Sequence, residues 1–173
     1  MKQTLYVGLL LVLIPLQTTL LQSISVAGIR PDLCLVAVVL IGFTRGPVEG
    51  LLMGLALGYV QDLFSAGEIG LNLMSKGAIG LMAGAASRYV TNATAVTTLL
   101  VVFVLSVVSG TVFLLSGRAG EDLMGAFYSV WSVLLPEALY EATIAAGIYW
   151  LIGWRVRRVD SDEIGWSRLV SRW

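Results

Sequence analysis

The stretch from residue 46 to residue 62, GPVEGLLMGLALGYVQD, carries a glycine at every fourth position of an apolar run. The glycines are Gly46, Gly50, Gly54 and Gly58, and Asp62 takes the next place in the same register. Residues four apart share one face of an α-helix, so the stretch predicts a helix with a stripe of bare backbone that ends in a carboxylate. Small-residue stripes let two helices approach closely in lipid. We therefore expect a membrane helix packed closely against a neighbour.

The next apolar segment has a matching pattern with the same spacing. Its residues at every fourth position are Asn72, Lys76, Gly80, Gly84 and Arg88. A short loop makes the two helices antiparallel, so the two glycine stripes can face each other and place Asp62 near Asn72 and Lys76. A charge inside a membrane is costly and normally has a partner. We predict an Asp62–Lys76 ion pair; contact of either residue with a substrate, an ion or a partner protein is the alternative.

The composition places the whole chain in the membrane class. Hydrophobic residues make up 57% of the 173 residues and charged residues 13%, against about 45–50% and ~25% in soluble domains. There is no histidine, which removes the usual general base and the commonest metal ligand. The single cysteine, Cys34, lies in an apolar run and cannot form a disulfide within one chain. We expect no catalytic residue, no metal site and no cofactor.

Six apolar segments are long enough, or nearly so, to cross about 30 Å of hydrocarbon. The chain is therefore predicted to be an all-α integral membrane protein with six transmembrane helices and short loops. Residues 1–154 form this domain, and residues 155–173 form a cytoplasmic tail along the membrane surface. The stretch from 123 to 135 is either interfacial or re-entrant, or it begins one long, bent sixth helix. The predicted spans are about 5–21, 33–43, 47–64, 71–89, 95–115 and 136–154.

The distribution of lysine and arginine predicts the orientation of these spans. With the N-terminus inside, six of these residues fall on the cytoplasmic side, three of them in the cluster at 155–158, and two, Arg30 and Arg118, fall on the outer side. Arg168 and Arg172 in the tail are not included in this count. Cytoplasmic loops carry an excess of such residues. We therefore predict a multi-pass protein of the bacterial cytoplasmic membrane with both termini in the cytoplasm.

Two glutamates one helical turn apart, Glu137 and Glu141, could in principle support acid–base chemistry or a proton relay. Without a histidine or a further carboxylate at a catalytic spacing, we interpret them as structural. In this interpretation Glu137 lies in the first turn of a helix that begins at Pro136, where the helix dipole favours a negative charge. Glu141 then bonds inside the bundle.

Several short motifs, in order and at matching spacing, resemble the MreD family of rod shape-determining proteins. They begin with Arg30-Pro31-Asp32, and Glu141 departs from the pattern because asparagine is expected there. The other motifs are Arg45-Gly46-Pro47-x-Glu49-Gly50, Gln61-Asp62-Leu63-Phe64-Ser65, Gly70-Leu71-Asn72 and Leu135-Pro136-Glu137-Ala138-Leu139-Tyr140. The resemblance extends over essentially the whole chain.

The resemblance implies a non-enzymatic component of the bacterial cell-elongation machinery. Proteins of this family bind MreC and act with MreB, the glycan polymerase RodA and a class B penicillin-binding protein in lateral peptidoglycan synthesis. No nucleic acid partner is implied, and the fold is similar to the substrate-binding S-component of energy-coupling-factor transporters.

The polar residues at the predicted outer end of the bundle are open to two interpretations. In a membrane scaffold they hold that end together or contact a partner. In a small-molecule substrate-binding subunit of a transporter they form the mouth of a pocket, although the short loops offer little for a lid. These outer residues are Pro31, Asp32, Asp62, Asn72 and Lys76.

Overall fold

The computed structural model describes residue 8 and residues 29–64, 70–90, 94–117 and 128–151. The regular elements in these ranges are helices, as the sequence predicts. The helices are α1 (Leu33–Arg45), α2 (Pro47–Phe64), α3 (Leu71–Ala86), α4 (Ala95–Gly117) and α5 (128–151), and α5 includes a π-helical turn at Val130–Leu134. The predicted first span, apart from residue 8, and the predicted tail from 155 lie outside the described residues.

One helix in the described ranges is long and apolar enough to cross a membrane, judged by length and composition. It covers Ala95–Leu115, 21 residues with a mean hydropathy of 2.6, and 28% of its most apolar window is buried. Helix α1 is also apolar but shorter. The predicted count of six spans is therefore not confirmed by this criterion.

A single residue, Gly46, connects α1 to α2. Its φ of 106° lies in a region that side-chain-bearing residues rarely adopt, and its N–H donates to Gly42 O at 2.9 Å, which closes the last turn of α1. A Cβ at this position would meet nothing within 4 Å. Gly46 therefore serves the turn between two helices, whereas the sequence pattern assigned it to helix packing.

The glycines of α2 lie against the backbone of α3. A Cβ on Gly50, Gly54 or Gly58 would collide with the carbonyl oxygens of Gly80, Lys76 and Asn72, respectively. At the far end of the pair, a Cβ on Gly84 would collide with Pro47. The two helices run antiparallel at backbone contact, and only glycine allows this approach.

Apolar side chains complete the bundle on both sides of α1. One cluster fills the space between α1 and α2, and the other joins α1 to α3, α4 and α5. The first consists of Cys34, Val38, Met53 and Leu57, and the second of Leu35, Val36, Val39, Ile79, Ala83, Val102, Leu105, Ala142 and Ala145.

Helix α5 passes through Pro136 instead of beginning there. Proline lacks an N–H and its ring displaces the carbonyl four residues earlier, so a regular α-helix would be disrupted. The π-helical turn Val130–Leu134 directly precedes it, and Leu135 N donates to Val130 O, a five-residue separation. Of the two alternatives for this region, residues 128–151 follow the one long helix, and Glu137 does not lie in a first turn.

Candidate functional site

The start of α1 is organised by the side chain of Asp32. Its Oδ1 accepts hydrogen bonds from Cys34 N at 2.9 Å and Leu35 N at 3.1 Å, so it caps N–H groups that have no partner inside the helix. Gln61 Nε2, from the last turn of α2, donates to the same oxygen at 3.3 Å. The carboxylate therefore connects the beginning of α1 to the end of α2.

Lys76, on α3, is fully buried and pairs with Asp32. The distance from Lys76 Nζ to Asp32 Oδ2 is 2.7 Å. The ammonium also donates to Asn72 Oδ1 at 2.9 Å and lies 5.9 Å from the ring centroid of Phe113 on α4. The predicted pairing of Lys76 with Asp62 is thus wrong. The pattern compared only α2 with α3, whereas the observed pair joins α3 to α1.

At the same end of the bundle, the carboxylate of Asp62 binds the N-terminus of α3 instead of a lysine. Its carboxylate accepts from the backbone N–H groups of Gly70 at 3.0 Å, Asn72 at 3.1 Å and Leu73 at 2.9 Å, and from Asn72 Nδ2 at 3.0 Å. Gly70, which precedes α3, has no side chain with which to cap it. Asp62 therefore supplies the cap of α3 from the neighbouring helix.

Glu141 of α5 joins the network through the backbone of Asp32. Asp32 N donates to Glu141 Oε1 at 2.7 Å, and the Glu141 side chain is 3% exposed. One polar network, which we term the Asp32 cluster, therefore draws on α1, α2, α3 and α5. Its members are Asp32, Gln61, Asn72, Lys76 and Glu141. Pro31, buried beside Asp32, adjoins it.

A cavity of about 510 Å³ lies next to the Asp32 cluster. Both glutamates of α5 line it, so Glu137 and Glu141 share one space as their spacing predicts. Its polar lining is Asp32, Asn72, Ser106, Ser109, Ser129, Glu137 and Glu141, and its apolar lining is Leu35, Gly110, Phe113, Leu114, Val133, Leu134 and Ala138.

The serines of α4 are functional candidates that the sequence reasoning missed. Ser106 and Ser109 are buried at 5% and 3% exposure in a helix that is otherwise mainly apolar. Ser109 Oγ is 3.2 Å from Ser75 Oγ on α3. Two hydroxyls three residues apart in so apolar a segment were the available signal, since i and i+3 positions are neighbours on a helix.

No group of three or more Cys, Asp or Glu side chains that could hold one metal ion occurs in the described ranges. The side chains of Asp32, Asp62 and Lys76 instead contact one another or the ends of helices. The arrangement can hold a bundle end rigidly, and it borders a space for a small polar group.

Comparison with known proteins gives a family match. The family model described as rod shape-determining protein MreD matches residues 2–155. Neither the curated proteins nor the solved structures compared with the chain give a match.

Proposed function

Because this chain belongs to the MreD family of rod shape-determining proteins, we propose that it is a non-enzymatic scaffold subunit of the membrane complex for cell elongation. In this role it binds MreC directly and supports the regulation of the RodA polymerase and the class B penicillin-binding protein, with MreB in the same assembly. The family is a structural, shape-determining one and a membrane protein family, which gives the proposal its general class.

The observation that carries the proposal is the Asp32 cluster. Lys76 is fully buried in this cluster, and its Nζ pairs with Asp32 Oδ2 at 2.7 Å. The carboxylate of Asp62 accepts hydrogen bonds that cap α3. Charges used in this way hold helix ends together, which a rigid docking platform requires. Pro31, Asp32, Asp62, Asn72 and Lys76 then shape one end of the platform for a partner's membrane or juxtamembrane segment.

We propose six transmembrane helices with both termini in the cytoplasm, in an arrangement like the S-component of energy-coupling-factor transporters. The support is the bias of lysine and arginine towards one side and the apolar helix Ala95–Leu115. Residues 1–154 form the membrane domain, and residues 155–173 lie along the cytoplasmic surface.

A transporter substrate-binding subunit is the second candidate, and the cavity beside the Asp32 cluster favours it. Its volume of about 510 Å³ falls within the ~300–1,000 Å³ of small-molecule sites. A fold shared with such subunits does not by itself transfer their function, so the family match gives the scaffold role precedence.

Depletion of the protein in the bacterium that encodes this chain, followed by expression of the parent chain, distinguishes the two candidate functions. A scaffold predicts that cells depleted of the protein become round and that the parent chain restores rods. A transporter subunit predicts normal shape with loss of uptake of one nutrient, which would contradict the scaffold proposal. As a matched control, Gly147→Ala should restore rods fully, because a Cβ at Gly147 meets nothing within 4 Å.

A further inference from the structure

The polar side of the cavity between α1, α4 and α5 has more acidic than basic groups. Asp32, Glu137 and Glu141 line it, and its described lining residues include no lysine or arginine. The nearby ammonium of Lys76 is already held by Asp32 at 2.7 Å. No hydrogen bond or ion pair to Glu137 occurs within the described residues. A carboxylate in a membrane domain normally has a partner, so a cation from outside the chain would complete the set.

A buried hydroxyl beside Glu141 lines the same space. Ser106 lines the cavity and is 5% exposed. Its Oγ faces the Glu141 carboxylate, yet it makes no hydrogen bond of standard length and angle within the described residues. Buried polar groups in native proteins are nearly always hydrogen-bonded, and an exception calls for an explanation. A bound N–H group would supply the missing partner.

The wall of the cavity is also built irregularly. Ser129, Val133 and Leu134 line it, and the π-helical turn Val130–Leu134 contains two of them and directly follows the third. Such turns inside α-helices are rare and often occur at functional sites. Across the cavity, Phe113 and Leu114 provide apolar surface.

We propose that this cavity is a binding site for a small organic cation, a protonated primary amine carried on an apolar body. Glu137 and Glu141 receive the ammonium, Ser106 accepts one of its N–H groups, and Phe113, Val133 and Leu134 contact the body. A single metal ion fits less well, because no three potential ligand side chains in the described ranges converge on one point. The amine can belong to a free small molecule or to the headgroup of an aminolipid. The proposal does not depend on partner binding.

The test uses the full chain purified in a neutral detergent and titrated calorimetrically with 2-phenylethylamine. The neutral analogue 2-phenylethanol measures binding without charge. Micelles that contain phosphatidylethanolamine, compared with phosphatidylglycerol, test the lipid source. Saturable binding of 2-phenylethylamine supports a free ligand. Saturable binding of phosphatidylethanolamine alone supports a lipid ligand. If neither binds, or if 2-phenylethanol binds as tightly as the amine, the proposal is overturned.

Variants connect the binding to the cavity. Glu137→Gln should weaken amine binding at least about tenfold, as expected for the loss of a charged hydrogen bond. Ser106→Ala should weaken it a few-fold without affecting folding, since the hydroxyl has no partner of standard geometry to lose. Glu49→Gln, the same change in the first turn of α2, is the control and should bind like the parent. Unchanged affinity in Glu137→Gln and Ser106→Ala would overturn the proposal.

Discussion

Replacement of Lys76 by methionine tests whether the ion pair with Asp32 stabilises the bundle. Loss of one partner from a buried ion pair typically costs about 3–5 kcal/mol, because the other charge is left uncompensated. Asp32 would keep its hydrogen bonds from Cys34, Leu35 and Gln61, and its side chain is 22% exposed. We therefore expect a loss near the lower end, about 3 kcal/mol. An ordinary polar contact between membrane helices contributes only ~0.6 kcal/mol, so the two are distinguishable.

The assay is reversible unfolding in mixed micelles, followed by circular dichroism. The double variant Asp32→Asn/Lys76→Met removes both charges, and asparagine still caps α1. We expect it to recover about 2 kcal/mol relative to the sum of the single variants, a coupling typical of residues in contact. Arg88→Met, at an exposed position, should change stability by no more than about 0.5 kcal/mol. If Lys76→Met changes the stability no more than Arg88→Met does, the ion pair does not stabilise the fold. The same follows if the stability losses of the two single variants add up to that of the double variant.

Three further outcomes are expected. Gly54→Ala should destabilise the protein by about 1–3 kcal/mol in the same unfolding assay, through overpacking against α3. The control Gly147→Ala should be neutral or stabilising, because a Cβ there meets nothing within 4 Å. If the two variants are equally stable, the close approach of α2 to α3 is refuted. Asp62→Ala should lower the free energy of unfolding by about 1–2 kcal/mol through the lost cap and speed amide hydrogen exchange at the start of α3. Asp62→Asn should be closer to the parent in both measurements. Unchanged exchange in Asp62→Ala would rule out the cap. Reporter fusions at both termini should indicate the cytoplasm, and a fusion near Gly120 should indicate the outside. An external C-terminus would contradict the topology.

The sequence predicted helix boundaries well where local chemistry determines them. Helix α2 covers Pro47–Phe64, as predicted, because proline is favoured in a first turn and the glycine register ends at Asp62. Helix α1 begins after its capping residue, Asp32, for a comparable local reason. The approach of α2 to α3 also follows from the register, since small residues at every fourth position leave one face of α2, and the Gly80 and Gly84 part of α3, without side chains.

The misassigned contacts depend on helices that are distant in sequence. The register of α2 and α3 cannot show that α1 brings Asp32 to Lys76, or that α5 brings Glu141 to Asp32 N across 109 positions. Pro136 was assigned to a helix start because proline favours that place locally. The π-helical turn at Val130–Leu134 accommodates Pro136 inside α5, and such a turn gives no periodic pattern in the sequence from which it could be predicted.

Recovery of MreC with the tagged chain is the measurement that tests the scaffold role most directly. Both proteins are produced together, the membranes are solubilised in a neutral detergent, and MreC is quantified after affinity purification of the chain. An unrelated multi-pass protein with the same tag provides the background. The scaffold role predicts MreC in near-equimolar amount with the parent chain. A chain that purifies in normal yield with MreC no higher than background would contradict it.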